Sequence, residues 1–467
     1  MPDVSEKLQV VSLSQIVASV AASMCAFCVG NALAYTSPAL PTMTNENITS
    51  FEVSKQQASW VGGIMPLAAL VGAISGAPLV ISVGRKVTIV LSSAPFIVSW
   101  LVIASASSVV TVFIGRFLTG FAVGVASISL PVYVGEAVHP LIRGTLGLMI
   151  TLLCNFGVLV CFIFGSFTNW SQLAYISAAL CLPFLILMLI VPESPRWHLT
   201  KGKIEQAEKA LTWLRRKNAK IDEELREMSQ AQNNEPEESN GFKTMFQKKY
   251  LRPVCIQLAL MFIQNICGIN AVMFYTVMIF NMSGSTVDSY LSTIIVGVVN
   301  FLATLIATIV IDHAGRKMLL YISTLTAIVT LFVLSVFFYC KSINWNTSNY
   351  GWLPLTSFVL YVLGFSLGLG PIPWLMIGEI LPSRIRGQAA SLVVAFSWIC
   401  TFIVTKTFQD MIDLVGIHGA FGFFCFGSIV GLLFIILMVP ETKNKSLEEI
   451  EAELTGKLPN EVIRRSL

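Results

Sequence analysis

Twelve apolar runs, each close to the length of a bilayer crossing, follow one another along this chain, and nothing else in it restricts the fold so strongly. They lie near 9–33, 58–80, 87–106, 109–131, 145–167, 172–191, 253–280, 290–311, 318–340, 353–378, 388–408 and 419–439. A helix needs roughly 20 mostly apolar residues to cross the hydrocarbon layer. Backbone groups in lipid must be satisfied inside the structure, which leaves helices or closed barrels. The runs are continuous and lack the apolar–polar alternation of a barrel strand. The expectation is an all-α membrane protein with twelve transmembrane helices. Composition agrees: 55% of the 467 residues are hydrophobic and 12% charged, against about 25% charged in soluble domains.

Basic residues set the expected orientation. An even number of crossings puts both termini on one side, and with the termini cytoplasmic 26 of the 30 Lys and Arg residues fall inside; the exceptions are Lys55, Arg116, Lys341 and Lys406. The net charge of +4 then reflects topology, and nucleic acid is not an expected partner. The first run is too long for a cleavable signal and is needed to keep the count even.

Short signatures recur in each half. Gly84-Arg85-Lys86 returns as Gly315-Arg316-Lys317. The spacing Glu136-x6-Arg143-Gly144 returns as Glu379-x6-Arg386-Gly387, and Val191-Pro192-Glu193-Ser194 as Val439-Pro440-Glu441-Thr442. Offsets of 231, 243 and 248 residues mark a duplication, hence two pseudo-symmetric six-helix bundles, the architecture of a transporter that rocks two halves about a central site. The boundaries expected are 1–191 for the first bundle, 192–252 for a cytoplasmic linker, 253–439 for the second bundle and 440–467 for a cytoplasmic tail. The linker is expected to carry short amphipathic helices: Ile204 to Met228 reads as amphipathic helix with Ile204, Ala207, Leu211 and Leu214 on a face, a lid or simple connector, and 229–241 as a flexible stretch. The repeated charges sit at inner span ends, where opposite charges can pair when an inner gate closes and part when it opens; anchoring alone is the plainer alternative.

Ten cysteines lie almost all in the spans and imply no disulfide framework; Cys25 and Cys28 read as small residues on a helix face. The four histidines are scattered near span ends, so neither a metal nor a cofactor is expected. No nucleophile–base pair or phosphate loop points to an enzyme. Sequons at Asn47, Asn169, Asn281 and Asn346 fall on the expected outer side, with Asn47 and Asn346 in the longest outer loops; Asn444 faces inward.

The motifs Gly115-Arg116-Phe117-Leu118-Thr119-Gly120, Pro131-Val132-Tyr133-Val134-Gly135-Glu136, Pro192-Glu193-Ser194-Pro195-Arg196-Trp197, Gln264-Asn265-Ile266-Cys267-Gly268-Ile269-Asn270, Asp312-His313-Ala314-Gly315-Arg316-Lys317 and Gly370-Pro371-Ile372-Pro373-Trp374 occur in that order. In this the chain resembles the sugar transporters of the major facilitator superfamily, is similar to the facilitative glucose transporters, and resembles insect facilitated trehalose transporters most. The Tyr35-Thr36-Ser37-Pro38-Ala39 run of the first span is shared with that last branch. The resemblance covers essentially the whole chain. It implies the major facilitator fold, a sugar as the small-molecule partner, the bilayer as the surroundings and a monomer sufficient for transport. It also places sugar contacts at Gln264, Asn265, Asn270, Asn300, Trp374 and Trp398. Intramembrane amides are costly and mark a pathway, although an Asn can also cement helices. Through the matched motifs, Arg85, Lys86, Glu136, Arg143, Glu193, Arg196, Asp312, Arg316, Lys317, Glu379, Arg386 and Glu441 would form the gating charge network.

Departures from the glucose transporters shorten side chains. Thr151 and Asn265 stand at glutamine positions, Ser366 at a glutamate position, and Ser397 and Thr401 at asparagine positions. A roomier cavity fits a disaccharide such as trehalose, with Thr151 and Thr401 in its wall. Ile81 replaces the acid that usually precedes the first Gly-Arg-Lys. Related proton symporters place an aspartate in span one near an arginine matching Arg116; here the corresponding stretch is Tyr35-Thr36-Ser37, and no Asp or Glu lies deep in a span. The expected activity is facilitative sugar uniport at the plasma membrane. A proton-coupled hexose symporter and a sugar-sensing receptor remain alternatives; the tail from about 440 to 467 is short for a sensor. Gly268 and Gly370-Pro371-Ile372-Pro373 are the expected hinges.

Overall fold

The computed structural model describes residues 12–139, 142–215, 221–233, 245, 247–285, 287–382, 385–443, 445 and 447–455. The protein is an all-helical membrane protein, and no strand occurs among the described residues. Among the described residues eleven helices are long and apolar enough to cross a membrane, and the last of them contains two crossings, which makes twelve. Six crossings precede the polar stretch that begins after Ile190 and six follow it. The spans are Leu13–Met43, Lys55–Ser82, Arg85–Ala104, Val109–Ala137, Arg143–Gly165, Trp170–Ile190, Lys248–Ser283, Ser289–Ala314, Arg316–Ser342, Leu353–Ile380 and the composite Arg386–Met438.

Several ends are set by local chemistry. Ser12 caps the first span by accepting from the Gln15 N–H at 3.2 Å. Asp288 caps the eighth through the N–H groups of Tyr290 and Leu291. Asn169 and Gln172 form a reciprocal capping box at the start of the sixth. The first span runs on to Met43, ten residues beyond its expected end. Spans eleven and twelve are expected as separate runs, but helix continues through 409–418, broken only at Gly416, whose φ is +73°. The polar residues there still suit a helix: Lys406 and Asp410 pair at 3.4 Å one turn apart.

Contacts divide the chain into two compact units, Met1–Val53 with Ile64–Ser239, and Ser54–Gly63 with Asn240–Leu467. In the first, span one packs against span five with almost no room: a Cβ on Gly30 would lie 1.8 Å from the Cys154 carbonyl oxygen. The polar stretch after span six holds three helices, Pro195–Thr200, Ile204–Leu214 and Ile221–Asn233. The amphipathic run from Ile204 to Met228 is divided between the last two of these, and the first of the two is short. It ends at Leu214 because Arg215 turns extended, donates to the Ala137 carbonyl at 3.0 Å and holds Glu224 through two nitrogens. The buried face carries Ala207, Ala210, Leu211 and Leu214, whereas Ile204 is exposed. Of the stretch 229–241 read as flexible, residues up to Asn233 are helical and the rest lies outside the described residues. In the second unit, Met245, Tyr250, Val254, Leu381, Ile385 and Ala389 form a buried cluster. The helix Leu447–Thr455 buries Ile450 and Leu454.

Candidate functional site

The duplicated signatures build nearly the same object twice. Gly84 has φ +113° and Gly315 φ +89°, a region that suits glycine. Each turn presents the following backbone N–H groups to a carboxylate. Glu193 accepts from Arg85, Lys86 and Val87 at 3.0, 2.9 and 3.3 Å. Glu441 accepts from Arg316 and Lys317 at 3.1 and 3.0 Å. A carboxylate at a helix N-terminus also meets the positive end of its dipole. Any side chain at either glycine would crowd that carboxylate, at 2.4 Å for Gly84 and 3.0 Å for Gly315.

The arginines then tie in the neighbouring span. Arg85 bonds Glu136 at 2.9 Å, and Arg316 bonds Glu379 at 3.1 Å. Ser194 donates to Glu136 and Thr442 to Glu379. Lys86 donates to the Leu189 carbonyl and Lys317 to that of Ile436. Each of these bonds stays inside one unit and clamps that bundle's own inner ends. Arg196 is exposed. The side chains of Arg143, Asp312 and Arg386, also expected in the network, lie outside the described residues. Burial pushes the Glu441 carboxyl up, but hydrogen bonds from the backbone of Lys443, Lys317, Arg316 and Thr442 outweigh it and hold the group below its ordinary value.

The intramembrane amides gather where two helices of the second unit break. Span seven breaks at Gly268, with φ +88°, and a Cβ there would sit 2.4 Å from the Phe424 ring. Span ten breaks between Leu367 and Ile372, which frees carbonyls on either side. Gln264 Nε2 donates to the carbonyls of Leu369 and Gly370 at 2.8 and 2.9 Å. Asn265 Oδ1 accepts from Asn270 and Thr401, both at 2.8 Å, while its amide nitrogen reaches the Met261 carbonyl at 2.8 Å and Ser397 at 3.3 Å. Gln264, Asn265, Asn270 and Thr401 thus share one region of spans seven, ten and eleven. Asn300, on span eight, accepts from Ser366 at 2.8 Å. Trp398 is 8% exposed, and its buried indole N–H has no partner in the structure; Trp374 is 40% exposed. Thr151 lies half-buried in the other unit.

Sequence reasoning missed three supports of these breaks. Gln257 Nε2 donates to the Pro373 carbonyl at 2.6 Å, Tyr361 to the Cys267 carbonyl at 2.8 Å, and Ser323 accepts from the Leu369 N–H at 3.0 Å. Gln257 was findable: it is a glutamine two helical turns before Gln264 on the same apolar span. In the first unit, fully buried Arg116 donates to the Ala32 carbonyl at 3.0 Å and lies over the Tyr35 ring at 5.8 Å.

Of the sequons, Asn47 and Asn346 are exposed. Asn281 is in the last turns of span seven, and Asn169 is engaged as a helix cap.

A family model described as "Sugar (and other) transporter" matches residues 16–454. A "Facilitated trehalose transporter Tret1-2 homolog" of Drosophila simulans is 56% identical over 450 residues, covering 96% of this chain and 92% of the relative. "Facilitated trehalose transporter Tret1" of Drosophila mojavensis is also 56% identical, over 95% of this chain but 52% of its own length. Among solved structures, the proton:xylose symporter XylE bound to 6-bromo-6-deoxy-D-glucose superposes with a TM-score of 0.76 at 26% identity, covering 94% of this chain and 99% of that one. The inward-open form of XylE from E. coli gives a TM-score of 0.77.

Proposed function

This chain belongs to the sugar transporter family of the major facilitator superfamily, a transporter and not an enzyme, and we propose that it carries trehalose or a related sugar passively across the plasma membrane. The observation behind this reading is the polar cluster at the two helix breaks. Gln264, Asn265, Asn270 and Thr401 hold donors and acceptors at membrane depth, where a sugar hydroxyl can exchange into an existing bond for about 0.5–1.5 kcal/mol net. Gln264 spends its amide hydrogens on carbonyls, which leaves Oε1 to accept from a sugar hydroxyl. Asn300, Trp374, Trp398 and Thr151 complete the proposed sugar set, the indoles giving flat apolar faces and the Trp398 N–H a free donor.

The transport cycle exposes this site to each side in turn. In that cycle the clamps at Arg85–Glu136 and Arg316–Glu379 keep each bundle's inner ends together while it moves. The termini face the cytoplasm by the distribution of basic residues. Asn47 and Asn346 are the glycan sites proposed, and a monomer without metal suffices. Passive transport is favoured because no carboxylate lies deep in a span; Arg116 is engaged with a carbonyl and a ring instead. The test is uptake of labelled trehalose and glucose by cells expressing the chain, with and without a proton uncoupler. Trehalose uptake that survives the uncoupler and is lost in Asn270→Ala at normal surface level is the expected result. Uptake of glucose alone refutes the disaccharide assignment, and collapse with the uncoupler refutes passive transport.

A further inference from the structure

A groove of about 280 Å³ lies where span six leaves the membrane in the first unit, walled by Ile190, Pro192, His198, Gln206, Lys209, Ala210 and Trp213. Its volume is just under the range of small-molecule sites, roughly 300–1,000 Å³, and suits a headgroup better than a whole lipid. Two surfaces meet in it. Leu182, Ile186, Leu189 and Ile190 are exposed on span six, and their spacing puts them on one helix face. That apolar strip ends at Ile190, which is itself a groove wall. On the far side, Gln206, Lys209, Ala210 and Trp213 recur at three- and four-residue steps along the helix Ile204–Leu214. The lining thus combines aliphatic side chains with an indole, an amide, an imidazole and an ammonium.

Charge selects among headgroups. Lys86 lies at the end of span six, its ammonium on the Leu189 carbonyl, and the Lys201 and Lys203 ammonium groups lie over the Trp197 ring beside His198. Glu193 spends its carboxylate on backbone N–H groups. Lys209 pairs with Glu205 at 2.6 Å, but both are exposed to solvent, and such a pair yields readily to a stronger anion. The Nδ1 atom of His198 is buried with no partner.

We propose that this groove holds the headgroup of an anionic phospholipid, its phosphate at Lys209 and Gln206 and its chains along Leu182, Ile186, Leu189 and Ile190. Lysines beside a membrane surface attract anionic lipid in this way. The assignment stands apart from the sugar site and does not depend on it.

The experiment is native mass spectrometry of the full chain purified in detergent and titrated with phosphatidylserine or phosphatidylcholine. Expected is at least fivefold stronger retention of phosphatidylserine, falling at least threefold in Lys209→Gln and unchanged in Lys341→Gln, which alters a lysine in the last turn of span nine, in the second unit. Free glycerophosphoserine and inorganic phosphate at millimolar concentration should not displace the lipid. Equal retention of both lipids, or equal phosphatidylserine retention in Lys209→Gln and the wild type, overturns the proposal. Displacement by either soluble phosphate makes this a site for free phosphate and overturns the lipid assignment too.

Discussion

Gln264 is the residue at which support of the fold and recognition of the sugar can be separated. Its side-chain nitrogen donates to two carbonyls of the span-ten break, at 2.8 and 2.9 Å. Because both neighbours are acceptors, the amide nitrogen has to face them and only Oε1 remains for a sugar. Gln264→Met keeps the length and removes both donors. Hydrogen bonds between membrane helices average about 0.6 kcal/mol and reach about 1.7, so two of them amount to about 1–3 kcal/mol. For a unit of this size each kcal/mol shifts Tm by about 2–4 °C, and Tm should fall by about 2–12 °C without sugar present. Gln264→Glu is the sharper variant. Its carboxylate still accepts from a sugar but cannot donate to Leu369 and Gly370, so it should be at least as unstable as Gln264→Met. Thermal unfolding of purified protein, followed by intrinsic tryptophan fluorescence, reads this directly. If both variants melt with the wild type while sugar binding is lost, Gln264 is a sugar contact only and the reasoning from the break is refuted.

Gly268→Ala should be costly on two counts. The left-handed φ costs about 1–2 kcal/mol, and the clash with Phe424 adds about 1–3 kcal/mol; Phe424→Leu should restore only the second part, read as Tm in the single and double variants. Arg316→Lys cannot reproduce the forked contact with Glu379 and the Ile311 carbonyl, so about 1–3 kcal/mol should go, and Arg85→Lys should lose a similar amount by the same melting assay. Glu441 is held below its ordinary value of 4.5, so it stabilises the fold above that pH and the contribution disappears as pH falls through the lowered value. The stability gap between wild type and Glu441→Gln should therefore be full at neutral pH and close under acid, measured by Tm across pH.

Much of the fold was legible because lipid leaves so few options. Long apolar runs can only be helices, and Gly268 and Pro371-Ile372-Pro373 announce the two breaks, since a left-handed glycine and a missing N–H interrupt a helix whatever surrounds it. The amides Gln264, Asn265 and Asn270 were conspicuous for the same reason, as polar groups where polarity is expensive. What each amide does was less legible. The proton count of an amide is in the sequence, but whether it meets a sugar or the carbonyls of Leu369 and Gly370 depends on a neighbour about a hundred residues away. Ile204 shares the apolar face by spacing yet is exposed, because helix periodicity names a face without saying which residue at its edge reaches a neighbour; Ala210 does, and Arg215 ends the helix by bonding Ala137.

The chain alone determined that it crosses a membrane as helices, that it is a duplication, and where charge and kinks fall, since each depends on local composition or spacing. Only the tertiary structure decided that Glu193 and Glu441 cap spans they follow by a hundred residues or more, that the described arginine–glutamate pairs stay inside their own bundles, and that Gln257, Tyr361 and Ser323 brace the broken helices. Those are choices among partners remote in sequence, and side-chain chemistry limits such partners without selecting one until packing brings them within 3 Å.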